Sequence, residues 1–209
     1  SRGERLYHGR PWDSGFKYWR PSMLGTSKTA VPNARRAVNS SIRLVFMTPP
    51  APDFDYLAFD FDRDPERMAA SAAITATNST DWHEFRRRGG KAIVYAGISD
   101  PLLNTNGVLD WYRRMIRDHG GVAETQSFAR YFHVPGMGHC RGGDATDQFD
   151  HFQALVDWVE RGRAPDFLVA KGSAFPGRTR PLCAYPKQTR YTGSGSIDDA
   201  SSFSCEQPR

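Results

Sequence analysis

The sequence predicts an α/β fold built on a parallel sheet, and three observations carry that prediction. Two short apolar runs, residues 91–96 and 127–134, have the length and composition of buried strands. Apolar residues at helical spacing follow each of them: Val108, Leu109, Trp111, Tyr112, Met115 and Ile116 after the first, and Phe149, Phe152, Leu155, Val156 and Val159 after the second. Glycines then punctuate the pattern at Gly89-Gly90, Gly120-Gly121 and Gly162, where helices end. The order strand, helix, strand, helix needs a crossover between strands, so the strands are expected to be parallel with helices on their faces.

The bulk properties set the outer limits. The chain has 209 residues, 39% of them apolar, enough for one domain or one and a half. Mean hydropathy is −0.60, so a core forms beneath a well-wetted surface. No run approaches the ~18 apolar residues of a membrane span, and no membrane partner is expected. The first ten residues are charged and lack an apolar stretch, so no signal peptide is visible. Net charge is +5, but the cations are scattered except for Arg86, Arg87 and Arg88. That cluster precedes Gly89-Gly90 and reads as a solvated helix end, where cations oppose the helix dipole. Nucleic-acid binding would need a basic face interleaved with aromatic platforms, and nucleic acid is not an expected partner.

Taken in order, residues 1–57 are irregular and aromatic. Trp12, Phe16, Tyr18 and Trp19 crowd together near Pro11 and Pro21, and no helical or alternating period is sustained before Ser40. Residues 42–46 are expected to form a short strand or helix, stopped by Pro49 and Pro50. Such a segment suits a lid or cap, because binding residues often sit on insertions. Asp60, Asp62 and Asp64 resemble the start of an EF-hand loop, but its sixth position is Pro65 instead of Gly and its twelfth is Ser71 instead of Glu. The stretch is expected instead to lead into a helix near residues 65–70, with Asp64 as N-cap and Pro65 first inside. Residues 81–88 predict a short helix. From Pro165 onward periodicity fades into a turn-rich tail. Two of the three cysteines, Cys183 and Cys205, lie in that tail and suggest that it is stapled down. The odd count leaves one thiol whose partner lies elsewhere, and no Cys-x-x-Cys spacing suggests structural zinc.

Asp100 and His139 each fall just beyond a predicted strand, at the edge of an α/β sheet where ligands bind. They stand 39 positions apart, with one helix and one strand between them. That spacing suits neighbouring strand ends. An acid there would accept the Nδ1 proton of His139, fix its tautomer and stabilise the imidazolium, leaving Nε2 to take a proton. Hydrolases of the α/β type order their residues Ser, acid, His. The Gly-x-Ser-x-Gly elbow of such enzymes does not occur in this sequence. Its nearest look-alike, Gly193-Ser194-Gly195-Ser196, follows the histidine and has no apolar strand before it. What is legible is the acid and base half of a catalytic apparatus.

At Gly136-Met137-Gly138-His139-Cys140 the chain resembles the tannase and feruloyl esterase family, which includes mono(hydroxyethyl) terephthalate hydrolase. The matching stretches are residues 89–101, 134–143, 149–165 and 178–205. Arg178-Thr179-Arg180-Pro181-Leu182-Cys183 and residues 193–198 are the most specific. The resemblance implies the C-terminal part of an α/β-hydrolase fold with a lid remnant at its N-terminus. Residues 1–57 would end the lid subdomain, 58–170 would form the C-terminal half of the hydrolase core, and 171–209 a disulfide-stapled tail.

The same resemblance implies a serine esterase, a carboxylic-ester hydrolase acting on aromatic or phenolic esters such as gallates, ferulates or terephthalate monoesters. Asp100 and His139 would be its acid and base, and its serine would lie outside this chain. Cys183 would pair with Cys205, and Cys140 with a cysteine beside that serine. Trp12 and Arg20 would face the aromatic acyl group, Trp12 by stacking and Arg20 by pairing with a carboxylate. No cofactor and no metal are expected on this chain; calcium, which family members hold through acids of the lid, would belong to the lid portion not present here. The implied partners are a small aromatic ester and the N-terminal half of the same enzyme, in a secreted or periplasmic setting. By itself the chain is expected to be inactive. The alternative is a truncated remnant without activity, or a subunit active only with its N-terminal partner.

Overall fold

Two parallel strands lie at the centre of the larger of two compact units. The computed structural model describes residues 8–11 and 18–208. Thr80 onward, with Gly9–Pro11 and Tyr18, forms the larger unit, and Trp19–Ser79 with His8 the smaller. The division falls after Ser79, whereas the sequence suggested one at residue 57. The helical segments between residues 56 and 75 belong to the smaller unit.

The smaller unit is helical. α1 (Asn33–Ser41) runs directly into a π-helical turn over Ile42–Phe46. The sequence suggested no period before Ser40. α1 buries none of its residues, so it has no apolar stripe to display. A 3-10 turn over Asp64–Met68 then continues into α2 (Ala69–Thr75). Pro65 sits in its first turn as expected, but the cap residue is Arg63, not Asp64. The Asp64 carboxylate is engaged elsewhere. It accepts the amide of Asp60 at 2.8 Å and pairs with Arg67 at 3.1 Å, which holds its pKa below the usual carboxylate value. Asp60 accepts from the amide of Asp62 in turn, so these acids close a turn. Ser71 anchors α2 by donating its hydroxyl to the Val45 carbonyl at 3.0 Å.

The larger unit begins with α3 (His83–Arg87), followed by β1 (Ala92–Gly97), α4 (Thr105–Asp118), α5 (Val122–Gln126) and β2 (Ala129–Val134). β1 and β2 are parallel, in register from Ala92 opposite Ala129 to Gly97 opposite Val134. Side chains alternate across a strand, and both faces of this pair are covered. Ala92, Val94, Ala96, Ala129 and Tyr131 meet Tyr112 and Met115 of α4 on one face. Ile93, Tyr95, Phe132 and Val134 meet Met137, Ala145 and Phe149 on the other. Burial on both faces explains why the two strands read as continuous apolar runs.

α6 (His151–Arg161) starts where the Asp150 carboxylate accepts the Gln153 amide at 2.8 Å. It ends at Gly162 with φ of 68°, a left-handed conformation that favours glycine. The arginine cluster at the end of α3 is spent on surface pairs. Arg87 and Arg88 both reach Glu84, at 2.6 and 2.7 Å, and Arg86 reaches Glu124.

The tail contains more regular structure than its composition suggested. β3 (Phe167–Lys171) pairs antiparallel with β4 (Thr179–Cys183), and β5 (Gln188–Tyr191) with β6 (Phe203–Glu206). These strands are only four or five residues long. β3 exposes Phe167 and Val169 while burying Leu168 and Ala170, so only Lys171 at its end marks the outer face as polar. Beyond β4, Ala184 bridges to Phe132 and the Tyr185 amide donates to the Tyr131 carbonyl, which fixes the tail against β2. Cys183 and Cys205 are disulfide-bonded. Among the described residues no helix is long and apolar enough to cross a membrane.

Candidate active site

Because Gly97 stands level with Val134, the loops leaving β1 and β2 emerge side by side. The amide of Ser99 donates to the Met137 carbonyl at 3.0 Å and binds one loop to the other. Asp100 comes three residues after β1 and His139 five after β2, and their side chains meet: His139 Nδ1 lies 2.9 Å from Asp100 Oδ2. The carboxylate is buried, with its side chain 4% exposed, while the imidazole is 44% exposed. The other carboxylate oxygen accepts the amides of Leu102 at 2.7 Å and Leu103 at 3.0 Å. A carboxylate held on both oxygens has little rotational freedom, so the ring it bonds is oriented too. Nε2 of His139 is left without a hydrogen-bond partner among the described residues.

The loop geometry needs its glycines. A Cβ on Gly97 would overlap the carbonyl oxygens of Met137 and Gly138. Gly136 and Gly143 face each other across the turn that carries His139, where Met137 bridges to Gly143. Gly97→Ala is therefore expected to force the loops apart, destabilising the fold by about 1–3 kcal/mol and breaking the Asp100–His139 bond. Thermal melting reads the first effect. Loss of the hydrogen-bonded Nδ1 proton resonance of His139 reads the second, and an unchanged resonance would contradict the packing argument.

Sequence reasoning missed several residues that hold these loops. Arg10 donates from Nη1 to the carbonyl of Asp100 at 3.0 Å. The Tyr18 hydroxyl accepts the amide of Gly143 at 3.1 Å, and Asp147 accepts that of Gly142 at 2.5 Å. Thr105 donates to the Gly97 carbonyl at 2.6 Å, which ties the first turn of α4 to the end of β1. Arg10 and Tyr18 lie 90 and 125 positions from their partners, beyond the reach of any periodicity or spacing rule. Segment 1–57 was expected to be lid, yet these two residues brace the loops of Asp100 and His139.

Of the other candidates, Trp12 lies outside the described residues. Arg20 is exposed and opens a π-helical turn over Arg20–Leu24 in the smaller unit. Cys140, beside His139, is a free and exposed thiol. Among the described residues no three His, Cys, Asp or Glu side chains come together as a metal-ligand set.

His133, on β2, is a different kind of histidine. Its Nε2 is buried without a hydrogen-bond partner. Burial, and then the charge of Arg113, push its pKa down to about 4. Below an ordinary value near 6.5 the unfolded chain takes up a proton that the folded chain refuses. His133 therefore supports stability above about pH 6.5, and that support is lost as pH falls towards 4. Its share is at most roughly 1.4 kcal/mol per pH unit in that window. Urea unfolding across the window should show His133→Gln to be less acid-sensitive than the parent; equal slopes would remove His133 as the cause.

A model of the family described as tannase and feruloyl esterase matches residues 2–206. The chain belongs to the tannase and feruloyl esterase family. It is 40% identical to mono(2-hydroxyethyl) terephthalate hydrolase of Piscinibacter sakaiensis, over 100% of this chain and 39% of that protein. It is 30% identical to a probable feruloyl esterase B-2 of Aspergillus fumigatus, over 74% of this chain and 33% of that one. The crystal structure of feruloyl esterase B from Aspergillus oryzae superposes with a TM-score of 0.72 at 24% identity, covering 91% of this chain and 39% of that one. Tannin acyl hydrolase from Aspergillus niger gives 0.63 at 19% identity, over 90% and 35%. The fold is thus α/β-hydrolase-like, and the chain spans only about a third to two fifths of the length of these two family relatives.

Proposed function

We propose that this chain supplies the acid and the base of a serine-type carboxylic-ester hydrolase acting on esters of aromatic or phenolic acids. The observation that carries the reading is the 2.9 Å bond from His139 Nδ1 to a buried Asp100, at adjoining ends of parallel strands. In this reading Asp100 fixes the tautomer of His139. Nε2 takes the proton of a serine hydroxyl as that oxygen attacks the ester carbonyl, then returns it to the departing alcohol. A water repeats the cycle and frees the acid. The serine and the oxyanion donors come from a portion of the enzyme N-terminal to this chain, and Cys140 pairs there with a cysteine beside the serine. A disulfide between residues flanking the two reacting groups would hold them in register.

The substrate class rests on the family. Gallates, ferulates and terephthalate monoesters share an aromatic acyl group, for which Trp12 and Arg20 are the contacts that likeness to the family implies. The Cys183–Cys205 bond supports a secreted or periplasmic setting, since disulfides persist in oxidising compartments. The test is hydrolysis of methyl gallate, methyl ferulate and a terephthalate monoester by the chain joined to the nucleophile-bearing portion of a relative. Turnover that disappears in His139→Ala supports the reading, and turnover indifferent to that substitution ends it.

A further inference from the structure

A cavity of about 640 Å³ lies against α4, β2 and the turn between β4 and β5. That volume is within the range of small-molecule sites. Neither Asp100 nor His139 lines it. Its charge is one-sided: Arg113, Arg178, Arg180 and Lys187 line it, against the single carboxylate of Asp144. Arg178 is paired with Asp198 at 2.6 Å. Arg113, Arg180 and Lys187 have no carboxylate within ion-pair distance among the described residues. Arg113 donates from Nε to the Tyr185 hydroxyl at 2.9 Å, and Arg180 from Nη1 to the Thr179 carbonyl at 2.8 Å.

The arginines are also held by rings. The guanidinium of Arg180 lies 4.2 Å from the Phe203 centroid, that of Arg178 4.5 Å from Phe175, and that of Arg113 5.7 Å from Tyr185. Such stacking fixes the planar donor forks before any ligand arrives. The three rings, with Ile98, Leu109 and Leu182, give the same cavity an apolar wall. Burial and then the neighbouring charge of Arg178 lower the pKa of Arg180, against the opposing charge of Asp198, and His133, whose Nε2 is buried without a hydrogen-bond partner, also lines the cavity. Cations gathered with too few counter-charges repel one another, and an anion seated among them relieves that cost.

We propose that this cavity is a binding site for a small carboxylate borne on an aromatic ring. The carboxylate matches the arginine forks, which bind a planar anion through paired hydrogen bonds. The ring matches the aromatic and aliphatic wall. A free phosphate offers the charge without the ring and serves as the comparison. The site is defined by this cavity alone and does not depend on Asp100 and His139 acting in ester hydrolysis.

The experiment follows para-fluorobenzoate by fluorine NMR with the oxidised chain. Saturable binding is expected, with benzoate displacing the probe, phosphate displacing it more weakly and neutral benzamide failing to do so. Replacing both Arg113 and Arg180 by Gln should weaken binding by about tenfold or more, since each removes charge-assisted hydrogen bonds. Should that double variant not fold by circular dichroism, Leu109→Trp takes its place; it fills the cavity, keeps the charges and should block the probe. The proposal is overturned by any of four results: no saturable binding at millimolar probe, equal displacement by benzamide or by phosphate, undiminished binding in the folded variants, or binding lost in His139→Ala, which would place the probe elsewhere.

Discussion

Asp100→Asn in the assembled esterase is expected to lower kcat by on the order of 10⁴, with much less change in KM. The neutral amide can occupy the same space and keep the amides of Leu102 and Leu103 as donors to its oxygen. Its nitrogen, however, would face His139 Nδ1, 2.9 Å away in the parent. An amide nitrogen donates, so the ring is driven to the tautomer with its proton on Nε2. That nitrogen can then no longer accept from serine. The geometry is preserved and the chemistry is lost, which separates this variant from Gly97→Ala, where the loops themselves move. Steady-state kinetics on a ferulate or terephthalate monoester read the result. A loss of only a few fold would mean that Asp100 holds the loop without governing His139. The 209-residue chain by itself should show no turnover above the uncatalysed rate, because it carries the base without an elbow serine.

Replacing Cys183 and Cys205 together by Ala is expected to destabilise the larger unit by about 3 kcal/mol, a figure set by the 22-residue separation that the bond closes. The bond joins β4 to β6, the two strands that flank β5 in contact, and the Thr189 hydroxyl donates to the Pro181 carbonyl within the same junction at 2.6 Å. β5 and β6 are short and bury little of themselves, so the reduced chain loses more order there than at β1 and β2. Denaturant unfolding of the oxidised parent, the reduced parent and the double variant measures the effect. Hydrogen exchange should show β5 and β6 losing protection first. Equal midpoints for all three proteins would show that strand pairing alone holds the tail.

Sequence alone determined the parallel pair, the two long helices and the ends at which Asp100 and His139 stand. Those features are written in local chemistry. A strand buried on both faces must be apolar throughout, a helix with one buried face must repeat with its turn, and a helix end wants glycine. α1 and the strands of the tail escaped for the converse reason: α1 buries nothing, and β3 shows apolar residues to both sides. The tail cysteines were legible as a staple. The identity of the bond came from likeness to the family, and the structure then placed the two sulfurs together.

Tertiary structure decided what no spacing encodes. Register put Gly97 opposite Val134, and that alignment brings a carboxylate and an imidazole 39 residues apart to 2.9 Å. Arg10 and Tyr18 became braces for those two loops only once the chain had folded back on itself. The three ring-backed arginines gather from α4 and β4 and the residue before it, with no shared motif. Local patterning fixes which elements form because each residue's burial depends on its near neighbours. Which side chains meet depends on closure of long loops, whose entropy is repaid only by packing that no short window of sequence contains.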